Sequence, residues 1–183
     1  MRGGATLLQI RSKDDSSAAL LRLAERITIA AHERGARVIV NDRADIARMA
    51  LADGVHVGQT DVPLASAIAI VGPGRIVGLS THDREQVDAA LSGPASYIAV
   101  GPIYSTTTKE TGYAARGLDL VTYAAGRGKP VVAIGGITLE RAPEVIAAGA
   151  SVLAVITDIL VGDDPEARVR AYCERLPAKP FNV

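Results

Sequence analysis

A chain of 183 residues is one domain's length, and 48% hydrophobic content is enough for a real core, yet with one Phe, five Tyr and no Trp that core must be built from Val, Ile, Leu and Ala. Twenty Lys plus Arg balance twenty Asp plus Glu, which excludes the strongly basic footprint of a nucleic-acid binder and an acidic tail. The single cysteine, Cys173, excludes an intrachain disulfide framework and a cysteine zinc cage, and no stretch approaches the ~18 apolar residues of a membrane span. The N-terminus has no continuous signal-peptide core, so a soluble, cytoplasmic protein forming one domain over residues 1–183 is expected.

Short β-branched runs alternate with longer segments of helical period. The runs are 7–10 (LLQI), 37–40 (RVIV), 54–57 (GVHV), 75–79 (RIVGL), 97–100 (YIAV), 130–134 (PVVAI) and 151–156 (SVLAVI). Most lack polar alternation, which suits strands buried on both faces. Leu20, Leu23, Ala24, Ile27 and Ala31 form an amphipathic stripe between the first two runs, and Gly35 and Gly149 read as helix stops.

Seven strand–helix units with right-handed crossovers admit an open doubly wound sheet or a (β/α) barrel. Nearly every run ends in small or functional residues: Arg11 with Lys13, Asn41-Asp42, Gly58-Gln59, Ser80, Gly101-Pro102, Gly135-Gly136 and Thr157. A barrel gathers all such ends at one mouth, whereas an open sheet gathers only those near its switch point. The expectation is an α/β fold of the TIM (β/α)8-barrel type, N-terminally truncated to seven units, because the chain opens almost directly on Leu7 and such barrels usually need about 250 residues.

Four groups of residues carry chemistry. Arg11 and Lys13, two apart at a strand end, point the same way on an extended backbone and suit a doubly charged anion such as pyrophosphate; they could equally be an exposed basic pair opening a loop. Asp42 and Asp61 follow neighbouring strands and can share one magnesium ion, which favours a few carboxylates plus phosphate oxygens; each could instead cap the next helix. The third group is 101–109 (GPIYSTTTK), a hydroxyl-rich connection running on to about Gly117, longer than a usual βα loop and suited to a lid. The fourth pairs Gly135-Gly136 with Ile156-Thr157 as a phosphate site on the loops after the last two strands. His56 reads as a packed strand residue, His32 as surface, His82 as either site or helix start, and Cys173 as inert.

In this order, 8–13 (LQIRSK), 41–45 (NDRAD), 53–61 (DGVHVGQTD), 78–82 (GLSTH), 101–109 (GPIYSTTTK) and 133–137 (AIGGI) resemble the thiamine-phosphate synthase family, over residues 7 to about 160. The resemblance implies an enzyme that joins 4-amino-2-methyl-5-hydroxymethylpyrimidine pyrophosphate to 4-methyl-5-(2-hydroxyethyl)thiazole phosphate with release of pyrophosphate. It implies Gln9 at the pyrimidine edge, and Arg11, Lys13, Asn41 and Lys109 on the pyrophosphate. Ser80 would assist departure, and Asp42 and Asp61 would hold Mg2+. Thr106, Thr108, Gly136, Ile156 and Thr157 would meet the thiazole phosphate, Thr157 standing where the family usually has Ser. Ser80, Lys109 and Arg11 are the residues it makes catalytic. Partners would be small-molecule substrates, with no nucleic acid or membrane, and a homo-oligomer left open. Two other readings compete. The thiazole tautomerase branch has a histidine where this chain has Pro102 and lacks the aspartate matching Asp42; the other is a non-catalytic, truncated thiamine-phosphate-binding protein.

Overall fold

The computed structural model describes residues 1–106 and 113–175. It contains seven strands: β1 (Leu7–Ile10), β2 (Arg37–Asn41), β3 (Gly54–Val57), β4 (Ile76–Thr81), β5 (Tyr97–Val100), β6 (Val131–Ile134) and β7 (Val152–Ala154). Between and after them lie α1 (Ser17–His32), α2 (Ala44–Met49), α3 (Leu64–Val71), α4 (Arg84–Ser92), α5 (Asp119–Ala124), α6 (Ala142–Ala147), α7 (Thr157–Leu160) and α8 (Pro165–Arg175). All seven expected strands are present, each followed by a helix, and no helix among the described residues is long and apolar enough to cross a membrane.

The chain divides into two compact units, the first made of Met1 with residues 5–79 and the second of residues 2–4 with the chain from Ser80 onward. In the first unit β1 to β4 pair parallel in chain order, with Gln9 opposite Ile39, Ile39 opposite Gly54 and Gly54 opposite Ile76. Side chains alternate across a strand. Leu8, Ile10, Val38, Val40, Val55, Val57, Val77 and Leu79 therefore fall on one face, where they pack against α1, α2 and α3. Each fully buried valine there contributes about 1.5–2 kcal/mol. The other face carries Gln9, then Asn41 and His56 side by side, so its polar residues rise toward the strands' carboxyl ends. Gly54 has a packing reason of its own, because a Cβ there would collide with the Ile76 carbonyl.

In the second unit β5, β6 and β7 pair parallel, Val100 opposite Ala133 and Ile134 opposite Ala154. Thr81, at the end of β4, accepts the Gly101 N–H through its carbonyl (3.2 Å) and donates its hydroxyl to the Ala99 carbonyl (3.1 Å). The strand therefore runs two residues beyond the apolar stretch. At α4, Asp83 caps the helix by accepting the Gln86 N–H, while Gln86 Oε1 accepts the N–H of His82, a reciprocal pair that fixes where the helix begins.

Two expectations need correction. The run 151–156 forms a strand of three residues, paired with β6, since its backbone turns into α7 after Ala154. Leu23 belongs to the α1 stripe by spacing, yet it is 37% exposed, while Leu20, Ala24 and Ala31 are buried.

Candidate active site

In the first unit, Arg11, Asn41, Asp42 and Asp61 stand at or just past the carboxyl ends of three successive, paired strands. β1 ends at Ile10, so Arg11 and Lys13 lie beyond it, and strand alternation no longer dictates that they point together. They differ in setting: Lys13 is exposed, while Arg11 is partly covered and its Nε is buried without a hydrogen-bond partner among the described residues. A buried, unsatisfied guanidinium nitrogen costs free energy unless an anion meets it. Gln9 is exposed on the polar face of β1.

Asn41 is buried as the last residue of β2, in register with the buried His56. Asp42 follows in the left-handed region (φ 61°), donating its N–H to the His56 carbonyl (2.8 Å), and Arg43 N–H closes a tight turn onto the Asn41 carbonyl (2.7 Å). Neither aspartate caps a helix. α2 starts after Arg43 and α3 after Pro63, both without a side-chain cap, and Asp61 Oδ2 accepts the Gly58 N–H (2.8 Å), shaping its own loop. Arg43 is committed to Asp45 through two bonds (2.9 and 2.6 Å) and to the Ser17 hydroxyl (3.0 Å), and this pairing holds the Asp45 carboxyl below its usual range.

The donor set suits magnesium. No cluster of three or more His, Cys, Asp or Glu side chains exists among the described residues, as a protein-only metal cage would need. Two partly exposed carboxylates on adjacent strand ends leave positions for phosphate oxygens and water, which magnesium prefers.

In the second unit Ser80 is buried near the end of β4. His82, two residues on, is also buried; its Nδ1–H donates to the Gly101 carbonyl, and its ring stacks on Tyr113 at 4.0 Å. His82 therefore precedes α4 without capping it. Between β5 and α5 the described residues are 101–106 and 113–118. The base of this connection is pinned: Arg116 N–H donates to the Pro102 carbonyl (2.7 Å) and Gly117 N–H to the Ile103 carbonyl (3.0 Å). Thr106 lies within this connection, whereas Thr108 and Lys109 lie outside the described residues.

Gly135 and Gly136 take left-handed conformations (φ 94° and 64°), and the direction of each missing Cβ is filled by the 102–105 backbone: Pro102 Cα at 2.7 Å for Gly135, Ser105 O at 2.7 Å for Gly136. The two glycines are thus required by that loop's close approach, independently of any ligand. Gly136 and Ile156 each lie two residues beyond the pair Ile134–Ala154, Ile156 is half-exposed, and Thr157 opens α7. Sequence reasoning missed the side chains that brace this turn. Tyr104 OH donates to Glu144, Arg141 lies over the Tyr104 ring (4.3 Å to its centroid), and Arg141 Nη1 donates to the Gly136 carbonyl (2.9 Å). Burial and the Glu144 carboxylate push the Tyr104 phenol up to about 12, so it stays a donor across the neutral range. Tyr104 and Glu144 are 40 residues apart, a separation at which spacing carries no signal.

A family model described as thiamine monophosphate synthase matches residues 1–159. The chain belongs to that family. It is 44% identical to a thiamine-phosphate synthase of Mycobacterium marinum, over 97% of this chain and 86% of that protein. It is 43% identical to one from a Nostoc species over 90% of this chain but 47% of the relative, so it spans about half of that longer protein. Among solved structures, thiamine phosphate pyrophosphorylase from Pyrococcus furiosus superimposes with a TM-score of 0.87 at 29% identity, covering 94% of this chain and 83% of the other. A 3-hexulose-6-phosphate synthase matches with a TM-score of 0.69 at 19% identity, a likeness of fold alone.

Proposed function

We propose that this chain is a magnesium-dependent thiamine-phosphate synthase, condensing the pyrimidine pyrophosphate with the thiazole phosphate and releasing pyrophosphate. The observation that carries the reading is Arg11: a guanidinium whose Nε is buried without a partner among the described residues, just past the end of β1, which pairs with the strand that leads into Asn41 and Asp42. In the proposed step the C–O bond at the pyrimidine methylene breaks and pyrophosphate leaves with the electron pair. The lone pair of the thiazole nitrogen then forms the C–N bond. That nitrogen bears no proton, so no general base is needed, and the chain's work is electrostatic. Arg11, Lys13 and Lys109 would bind the leaving group, Asn41 would orient it and Ser80 would donate to it as it departs. Gln9 would read the pyrimidine edge. Thr106, Thr108, Gly136, Ile156 and Thr157 would take the thiazole phosphate. Asp42 and Asp61 would hold the magnesium, which when bound supplies neutralising charge to the pyrophosphate.

We also infer a (β/α)-barrel type of fold, working in the cytoplasm on small molecules. The test mixes both substrates with magnesium and follows pyrophosphate release. Saturable, magnesium-dependent release is expected; saturable binding of both substrates without release would instead support the non-catalytic reading.

A further inference from the structure

The loop and helix around Gly136 form an assembly that the proposed reaction does not yet use. Three successive carbonyls of the β6 end are each held from the same unit. Ile134 accepts the Ile103 N–H (2.9 Å), Gly135 accepts the Tyr104 N–H (3.1 Å), and Gly136 accepts Arg141 Nη1 (2.9 Å). A trans peptide is planar, with its C=O and N–H pointing in opposite directions. Fixing those three carbonyls therefore turns the N–H groups of Gly135, Gly136 and Ile137 away from the 103–104 backbone and from Arg141. Successive N–H groups on a bent backbone make a concavity for an anion.

Two of the three carbonyls are held by main chain, which no side-chain substitution removes. The third depends on one side chain, and that side chain is itself held. Arg141 lies over the Tyr104 ring, and the Tyr104 hydroxyl is anchored by Glu144, in the first turn of α6. A guanidinium over an aromatic ring is held there by cation–π attraction, which fixes the direction of its N–H donors.

We propose that Arg141, oriented by Tyr104 and Glu144, is a positioning residue for the thiazole phosphate: by gripping the Gly136 carbonyl it sets the peptide whose N–H, on Ile137, faces the phosphate. This rests on the synthase reading above. Arg141 need not touch substrate, and the clasp acts on one substrate only.

The experiment compares wild type with Arg141→Ala, Arg141→Lys and Tyr104→Phe in steady-state assays that vary each substrate in turn. Inhibition by inorganic phosphate and phosphate affinity by calorimetry are measured alongside. Arg141→Ala is expected to raise KM for the thiazole phosphate about tenfold, with kcat and the KM for the pyrimidine pyrophosphate within about twofold of wild type. Phosphate affinity should fall in parallel. Arg141→Lys, which keeps a donor but loses the guanidinium over the ring, should recover part of the loss, and Tyr104→Phe should lie between it and wild type. An active wild type whose thiazole-phosphate KM does not move in Arg141→Ala overturns the clasp and leaves the synthase reading standing. So does a variant in which both KM values and kcat deteriorate together, which marks a general structural role. An inactive wild type overturns the synthase reading, and the calorimetric phosphate affinity then decides the clasp: equal values in wild type and Arg141→Ala sink it.

Discussion

Asp42 carries two demands at one position. Its backbone sits at φ 61°, a region that costs most L-residues about 1–2 kcal/mol and that Asn and Asp tolerate best, while its carboxylate is the proposed magnesium ligand. Substitution can separate the two. Asp42→Asn keeps the tolerance for the left-handed turn and removes the charge, so it should unfold within about 1 °C of wild type while losing at least about 100-fold in turnover. Asp42→Ala should lose as much activity and a further ~1 kcal/mol of stability, about 2–4 °C in a chain of this length. Calorimetry and pyrophosphate release on the same samples measure both. Full magnesium-dependent turnover in Asp42→Asn would remove the residue from the metal site.

At the scale of elements, α7, α8 and the turn after β6 meet on one carboxylate. Asp158 accepts the Leu139 N–H (3.1 Å), Arg168 Nε (3.0 Å) and Nη2 (2.8 Å), and the Tyr172 hydroxyl. The Arg168 guanidinium holds the Asp158 carboxyl below its ordinary 3.8, outweighing the opposing effect of burial. The Asp158 side chain is 16% exposed, so the pair is worth more than a surface bridge, but Arg168 at 32% is partly screened; about 2 kcal/mol is reasonable for the set. Asp158→Asn should lower the unfolding midpoint by about 4–8 °C near neutrality. A depressed folded-state pKa gives stability that is complete above the unfolded value of 3.8 and lost as pH falls through the folded one. The gap between wild type and variant should therefore close below that pH; a gap independent of pH would show that packing, not charge, holds α8. This hub was not legible in the sequence, because its partners come from three elements and no spacing links them. The strands were legible, since continuous runs such as 54–57 and 97–100 are buried throughout. Their ends were less so: β4 extends through Ser80 and Thr81 because Gly101 supplies a backbone partner, and β7 stops early where the backbone turns into α7. The site showed the same division. Arg11, Asn41 and Asp42 could be read from their place after apolar runs, whereas the close approach of the 102–105 loop that demands Gly135-Gly136, and the side chains of Arg141 and Glu144, exist only once the chain is folded.

At the scale of the whole molecule, charge balance and open edges act together. Twenty cationic and twenty anionic side chains cancel, and the isoelectric point is about 6.8, so no net repulsion keeps copies apart at neutral pH. Among the described residues of the first unit β1 pairs with β2, and Ile29 on α1 is 62% exposed; among those of the second β7 pairs with β6, and Leu160 and Val161 beyond it are 67% and 74% exposed. Unpaired N–H and C=O groups beside bare apolar side chains are the usual starting point for edge-to-edge association, and lysine on such an edge suppresses it by charge and by hydration. Light scattering against pH should accordingly show association peaking near the isoelectric point and receding on either side. Ile29→Lys and Val161→Lys, both at mostly solvent-exposed positions, should each reduce the peak, and the double variant should reduce it most, with unfolding midpoints little changed because both side chains are largely exposed. The lysines also move the isoelectric point upward, so the comparison must be made at equal net charge as well as at equal pH. Association that persists in the double variant at matched charge would place its origin away from both edges.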